Sequence, residues 1–176
     1  ASVGLYNNMG DLKLASDSIL PHVRTDIVKY LKATEKVNLK RMQFNAFFEP
    51  TQSLYTKISA GFLEEMFAGI GGEILYRPMN QNFAIGAELW TVQQRDYDML
   101  FSLLDYKTET GHINFYYEEP KTKIILALKG GKFLAGDSGI NVDFSRRFKS
   151  GLRMGAFFSM TDISKEEFGE GSFDKG

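Results

Sequence analysis

Cysteine is absent from this chain, so its 176 residues form no disulfide and bind no zinc or iron–sulfur cluster through thiolates. No apolar run approaches the roughly 20 residues that a membrane-spanning helix requires. An excess of either charge is also missing, because 21 Lys and Arg stand against 22 Asp and Glu, for a formal net charge of −1. That balance gives no electrostatic case for nucleic acid as a partner.

What the chain has is a two-residue alternation of apolar and polar side chains. In 82–92, Phe83, Ile85 and Leu89 share one parity, whereas Glu88 and small residues share the other. Such alternation predicts a strand with one apolar and one polar face. The same pattern predicts eight strands, within 41–48, 57–62, 66–74, 82–92, 111–119, 122–133, 138–148 and 152–161. A less regular ninth strand is predicted near 23–31.

Two segments have a second interpretation. Leu54, Ile58 and Phe62 repeat every four residues, as in a helix. Gly61 and the β-favouring Tyr, Thr and Ile side chains instead predict strands that reverse tightly at 63–65. The segment 96–105 is predicted to be a long loop that could carry a short helical turn.

The connections between these segments differ in length along the sequence. Short turns are predicted at 49–52, 78–81, 119–122 and 149–151. Longer and more charged connections are predicted after Trp90, Phe133 and Met160. Short turns on one side and long loops on the other are typical of transmembrane β-barrels. Aromatic residues near the short turns predict an interfacial girdle; they are Phe47, Phe48, Tyr55, Tyr76, Phe83 and Phe148.

Together these patterns predict an all-β fold, an antiparallel up-and-down transmembrane β-barrel with about nine strands visible. Residues 1–21 are predicted to be an irregular lead-in, and residues 22–176 an outer-membrane barrel domain. A wall of that size ending near residue 176 would leave an open edge, which lipid does not tolerate. We therefore expect the barrel to be incomplete here and the domain to belong to a longer chain. The two-residue period by itself does not distinguish this barrel from a soluble antiparallel sandwich or lipid carrier, which is the alternative.

The polar parity of the strands carries the candidate functional side chains. Charged or hydrogen-bonding groups there could line a path for a polymer, or could cross-link the wall through ion pairs. The candidates are Arg41, Glu73, Glu88, Trp90, His112, Asn114, Tyr116, Lys129, Asn141, Asp143, Arg147 and Arg153. Lys57 shares this parity. Both signs of charge occur, so no single-sign selectivity ring is predicted.

The sequence predicts no catalytic residue, metal ion or cofactor. A hydrolase of barrel type would need a serine beside His112, and no serine is placed there by the sequence. The glycines at 69–72 lack the strand-to-helix context and the Lys of a phosphate loop. The segment 137–139 lacks the ligand ladder of an EF-hand calcium site.

Five strings in register carry a resemblance to a known family. They are AGFLEEMFAGIGGEILYRP, QQRDYD, DYKTETGH, GGKFLAGDSGINVDFSRRF and GEGSFDKG. In this order the chain, from about His22 to its last residue, closely resembles the YjbH-like family of bacterial outer-membrane proteins linked to exopolysaccharide and capsule production. The resemblance implies a barrel in the outer membrane of a Gram-negative bacterium that works with a polysaccharide secretion system, and it does not imply an enzyme. Members of that family are usually several times longer and carry an export signal.

Matching positions in those strings supply further candidates without an assigned role. On the strands and short turns they include Glu73, Arg77, His112, Arg146 and Arg147. The loop candidates are Arg95, Asp96, Asp137, Glu170, Asp174 and Lys175.

The sequence thus predicts a non-enzymatic component of exopolysaccharide or capsule secretion, which guides or anchors polymer at the cell surface. The expected partners are outer-membrane lipid, polysaccharide export proteins and the polysaccharide itself. One alternative is a barrel that organises partner proteins without passing substrate. Another is a barrel hydrolase acting on lipid or glycan.

Overall fold

The structure is a computed structural model that describes residues 1–5 and 27–162. Its elements are β1 (Ser2–Gly4), α1 (Ile27–Ala33), β2 (Asn38–Thr51), β3 (Leu54–Phe62), β4 (Phe67–Tyr76), β5 (Phe83–Arg95), β6 (Leu103–Glu118), β7 (Ile124–Lys132), β8 (Ser138–Arg147) and β9 (Arg153–Thr161). The strands form one sheet in chain order, and each pairs antiparallel with the next. The prediction of an all-β antiparallel fold is therefore confirmed.

All eight segments of regular alternation lie on strands β2 to β9. The ambiguous segment after Leu54 is β3, and the chain reverses at 63–66, where the backbone N–H groups of Leu63 and Glu64 both donate to the carbonyl of Phe67. This segment forms a strand despite its four-residue repeat. It pairs with a strand on each side, and these pairings satisfy its backbone N–H and C=O groups.

Strands β5 and β6 extend further than their alternation predicts. Pairs such as Val92 with Thr108 and Gln93 with Lys107 continue the ladder into residues predicted to form a loop. The side-chain amide of Gln93 also donates to the carbonyl of Leu104 at 2.7 Å. The connection between these strands is reduced to 96–102, which contains turns and no helix.

One prediction for the N-terminal part is wrong within the described residues. The less regular strand predicted near 23–31 is not formed in its described part, because Ile27–Ala33 is the helix α1. Ser2–Gly4, inside the predicted irregular lead-in, is the short strand β1 on the edge of β2. Tyr30 of α1 is buried and its hydroxyl donates to the carbonyl of Arg95, so contact with the end of the sheet decides the conformation. Residues 6–26 lie outside the described range.

The predicted sorting of short turns and long loops is not found between the described strands. At one end of the sheet the connections are 52–53, 77–82, 119–123 and 148–152; at the other they are 63–66, 96–102 and 133–137. Lengths at the two ends overlap, because β5 and β6 absorb the charged residues that were assigned to a loop. The third predicted long connection, after Met160, lies almost entirely beyond residue 162.

The sheet is open in this structure. In the described part of the chain β9 pairs only with β8, so its outer side is a free edge. At the other side β1 covers β2 only from Asn38 to Arg41. The described residues therefore form an open nine-stranded sheet, and the transmembrane barrel stays a prediction. Among them no helix is long and apolar enough to span a membrane.

The sheet exposes its apolar face and buries its polar face, which is the reverse of a water-soluble sheet. On the apolar face, Leu89 is 73% and Ile113 is 68% exposed. On the polar face, Ser59 is fully buried and His112 and Asn114 are each only 8% exposed. A water-soluble sheet buries its apolar side chains, and a barrel in lipid exposes them. The polar face is therefore the sheltered, inner side.

Aromatic side chains gather at the end with the 52–53 and 77–82 turns, as predicted. Phe47 and Phe48 lie near the end of β2, Tyr55 lies near the start of β3, and Tyr76 ends β4. All four are exposed. A row of exposed aromatics at strand ends is typical of a membrane–water interface.

The opposite end of the sheet holds the apolar core, beneath α1 and the 96–102 connection. Tyr30, Phe67 and Met99 are at most 2% exposed there. The ring of Tyr30 packs edge-on against Tyr97, and that of Phe67 against Tyr106. This core fixes α1 over one rim of the polar face.

Candidate functional site

A row of charged side chains crosses the polar face from β3 to β6. Strand register places Lys57 opposite Glu73, Glu73 opposite Glu88, and Glu88 opposite His112. Nζ of Lys57 lies 2.6 Å from Oε1 of Glu73. Directly opposed residues on one face are neighbours. The two-residue alternation puts these side chains on one face, and the register of the strands brings them opposite each other.

Glu88 is the centre of this row. Its Oε1 lies 2.6 Å from Nζ of Lys129 and 2.9 Å from Nδ1 of His112. The indole N–H of Trp90, two residues along the same strand, donates to Oε2 at 3.4 Å. We call Glu88, Trp90, His112 and Lys129 the Glu88 cluster. Lys129 reaches Glu88 diagonally, because its direct partners in register are Asn114 and Asn141.

His112 is held by packing rather than by hydrogen bonds. Its ring lies 4.7 Å from the ring of Phe133. Nδ1 lies 2.9 Å from Oε1 of Glu88, and beyond that contact neither ring nitrogen has a polar partner in the described part of the chain. No described serine hydrogen-bonds to His112, so the serine–histidine pair of a hydrolase is not assembled within these residues.

Glycine makes room for the large ring of the cluster. A Cβ at Gly71, directly opposite Trp90, would lie 2.3 Å from that ring. The indole can therefore lie flat over β4, where it also receives Nζ of Lys57 at 5.7 Å from its centroid. Glycine is needed at position 71 because the Trp90 ring approaches the backbone closely there.

The polar face encloses a cavity of about 770 Å³. It spans strands β4 to β8, and its polar wall includes Glu73, Glu88, Asn114, Tyr116, Lys129 and Asn141. This volume lies in the range of small-molecule sites. Six of the predicted candidates thus line one space.

A second charged group lies where β6 and β8 meet the 119–123 turn. Arg147 Nη2 is 2.6 Å and Lys123 Nζ is 3.3 Å from the carboxylate of Glu118. On the neighbouring strand pair, Arg153 bonds Oγ of Ser145 at 2.9 Å and lies 3.3 Å from Asp143. Three predicted candidates, Asp143, Arg147 and Arg153, therefore form wall-linking ion pairs.

The carboxylate of Glu119 closes the adjacent turn. Its Oε2 accepts hydrogen bonds from the backbone N–H groups of Lys121 and Thr122 and from the Thr122 hydroxyl. The bonds from Thr122, chiefly its backbone N–H, lower the pKa of Glu119. Because the carboxylate is exposed, we assign these hydrogen bonds to stabilising the turn and not to binding or catalysis.

The remaining candidates lie apart from the cavity. Arg41 is exposed on β2 and bonds Gln43. Asp96 accepts from the N–H of Tyr97 in the 96–102 connection, and Asp137 is half-buried in the 133–137 connection. Arg146 donates to the carbonyl of Thr122. The loop candidates Glu170, Asp174 and Lys175 lie outside the described residues, as does His22.

Arg95 was predicted to be a loop residue and is instead the fully buried last residue of β5. Its guanidinium donates to the carbonyls of Leu39 at 2.7 Å, Met99 at 2.9 Å and Glu64 at 3.0 Å. It also donates to those of Lys40, Glu65 and Leu100. The Tyr30 hydroxyl in turn donates to the carbonyl of Arg95. This side chain fastens β2, two connections and α1 together.

Sequence reasoning placed Lys57 among the charges of the polar parity, but it did not single out Glu118 as a site residue. The signal that identifies their partners is register, since Lys57 stands opposite Glu73 and Glu118 lies beside Arg147. Among the residues that the structure describes, no three His, Asp or Glu side chains are grouped to hold a metal ion.

Comparison with known proteins gives two matches. The whole chain, residues 1–176, matches the family described as "Exopolysaccharide biosynthesis protein YbjH". The chain is also 39% identical over 176 residues to a protein of Escherichia coli (strain K12) named "Uncharacterized lipoprotein YjbH". That match covers 97% of the chain and 25% of the relative, so the chain spans about a quarter of its length. No solved structure matches.

Proposed function

Because this chain belongs to the YjbH family of exopolysaccharide biosynthesis proteins, we propose that it forms part of an outer-membrane β-barrel wall. In this proposal the wall guides or anchors exopolysaccharide or capsule polymer during secretion, in contact with polysaccharide export proteins. The role is non-enzymatic. The E. coli relative is named a lipoprotein, which supports a position at an envelope membrane.

The observation that carries the proposal is the reversed exposure of the two faces. Ile58, Ile70 and Ile140 are more than half exposed on one face, whereas Ser59, Thr110 and Ser145 are buried on the other. Exposing so many large apolar side chains to water would cost roughly 25 cal/mol for each Å². Lipid against that face removes the cost, and a sheltered polar cavity remains inside.

The open sheet fits a wall that other strands complete. An unpaired β9 edge in hydrocarbon would leave its N–H and C=O groups without partners. The relative extends well beyond the matched quarter, so in this proposal further strands of a longer chain, or of a second chain, close the wall. The nine strands seen here are then a segment of the barrel.

A quenching experiment tests which face touches lipid. The chain has a single tryptophan, Trp90, on the polar face, so the substitution pair Trp90→Phe with Leu89→Trp moves the fluorophore to the opposite face. In vesicles of phosphatidylcholine with brominated acyl chains, we expect strong quenching of the double variant and little quenching of the native Trp90. Vesicles without bromine serve as the control. Equal quenching in both proteins would contradict the assigned orientation.

The role in secretion is tested by filling the cavity. Ala127 faces Tyr116 across β6 and β7 on the polar side, so Ala127→Trp narrows the cavity. Cells lacking the gene should release less exopolysaccharide, and the native gene should restore release while the Ala127→Trp gene should not. Ala156→Trp, on the exposed apolar face of β9, is the matched control and should restore release.

A second candidate function is an assembly role without passage of substrate. The ion pairs that cross-link the polar face, Lys57 with Glu73 and Lys129 with Glu88, favour it, since they rigidify the wall. Normal release with Ala127→Trp, at the membrane level of the native protein, would support this function. Intact release after gene deletion would contradict both.

A further inference from the structure

The charged groups at the floor of the cavity are already paired with each other. Glu73 lies 2.6 Å from Lys57, and Glu88 lies 2.6 Å from Lys129. Two carboxylates are thus matched by two ammonium groups. Arg77, the further cation of the lining, belongs to the 77–82 connection, at the rim and exposed to water. The floor therefore offers no uncommitted charge to a ligand.

Uncharged polar groups of the same wall do have hydrogen-bonding capacity to spare. Neither the amide of Asn114 nor the hydroxyl of Tyr116 hydrogen-bonds to any described residue. Asn141 uses its Nδ2, 2.7 Å from Oγ of Ser159, and leaves its carbonyl oxygen available. An amide and a phenol supply donors and acceptors together, which is the complement of a sugar hydroxyl.

Small residues surround Tyr116 and leave its ring open. Its partners in register are Ala84 on β5 and Ala127 on β7, and Gly86 stands opposite Asn114. Tyr116 is 41% exposed although it lies on the sheltered face. We call the space bounded by Asn114, Tyr116 and Asn141 the tyrosine recess. An open aromatic ring offers an apolar surface to the C–H side of a pyranose.

We propose that the tyrosine recess binds uncharged sugar residues of a polysaccharide, in preference to uronic acids. A sugar carboxylate there would face Glu73 and Glu88, and would gain a cation only by separating Lys129 from Glu88. Leaving one member of a sheltered ion pair without its partner is costly, whereas hydroxyl groups need only the free amide and phenol groups. This inference rests on the proposed role in polysaccharide secretion.

Matched oligosaccharides test the charge preference. The full protein, purified in detergent, is titrated with β-1,4-mannohexaose and with the β-1,4-mannuronate hexamer, which differ only by oxidation at C6. Cellohexaose and its C6-oxidised hexamer form a second pair. Trp90 fluorescence reports binding, because its N–H contacts Glu88 at the cavity floor. We expect at least one neutral hexamer to bind roughly tenfold or more tightly than its acidic counterpart, a difference of about 1.4 kcal/mol.

Two tyrosines on opposite faces give the control for position. Tyr116→Ala should weaken binding of the neutral hexamer roughly tenfold, the loss of one good contact. Tyr76→Ala should leave it unchanged, since Tyr76 is similarly exposed, at 48%, but lies on the opposite face and does not line the cavity. Equal losses in the two variants would overturn the recess as the binding site.

The remaining outcomes separate this inference from the proposed function. Tighter binding of an acidic hexamer overturns the preference for neutral sugars and leaves the secretion role standing. If none of the four hexamers binds, the recess is not a sugar site. The secretion role then depends on the gene-deletion result alone, and intact release after deletion would remove it as well.

Discussion

Replacing Arg95 with Met is expected to destabilise the protein by about 3–5 kcal/mol, the cost of removing one partner from a buried charge-assisted network. The methionine fills a similar volume but donates no hydrogen bond. Carbonyls of β2 and of the 63–66 and 96–102 connections then lose a donor in a place that water does not reach. Urea unfolding in detergent, followed by near-UV circular dichroism, measures the loss.

The control for Arg95 is the same substitution at an exposed arginine. Arg41 bonds only the neighbouring Gln43, so Arg41→Met should change the free energy of unfolding by no more than about 0.5 kcal/mol. Arg95→Lys is informative as well. A lysine keeps the charge but not the planar fork that reaches several carbonyls, so it should restore only part of the stability. Full stability in Arg95→Met would show that packing of α1 alone holds this end.

The strands could be predicted from the sequence wherever one face of the strand is apolar and the other is polar. Ile85 and Phe158 share the apolar parity and are 43% and 55% exposed, on the side opposite the cavity. A period of two residues is a local signal, so each of β2 to β9 was found without knowledge of its neighbours. The ends of β5 and β6 were not found, because their outer residues are held by pairing with each other and not by alternation.

The helix and the closure of the wall lie beyond what alternation can predict. α1 is a short helix, and its conformation depends on burying Tyr30 against the end of the sheet. Short helices owe their stability to such tertiary contacts. Whether the sheet closes would depend on a partner for the β9 edge, which no residue of β9 specifies.

The candidate site was predicted in its members but not in its pairs. Parity places Glu73, Glu88 and His112 on one face, yet a shift of two residues in register would keep that face and bring other residues opposite each other. The diagonal contact of Lys129 with Glu88 depends on that register. Arg95 was misplaced for another reason. A charged residue before an acidic, turn-rich segment resembles a loop, and only the carbonyls of distant segments make its burial tolerable.

Gly131→Ala is expected to destabilise the protein by about 2–4 kcal/mol, from backbone strain together with overpacking. Gly131 has a φ of +154°, and a Cβ there would lie 1.9 Å from the carbonyl oxygen of Gly111 and 2.8 Å from Cα of His112. Both neighbours are backbone atoms of β6, so the clash is relieved only by separating β6 from β7. The variant should unfold at lower urea concentration and lose affinity for the neutral hexamers, because His112 stands directly opposite Gly131.

Gly130→Ala is the matched control in the same strand. Its Cβ would meet nothing closer than the carbonyl oxygen of Gly139 at 3.9 Å, an ordinary contact. The substitution removes freedom from the unfolded chain without strain in the folded one, so stability should stay the same or rise by about 0.4–1 kcal/mol. If the two alanine variants unfold at the same urea concentration, strand β7 is free to shift against β6. In that case no fixed register would keep the row from Lys57 to His112 aligned or the cavity open.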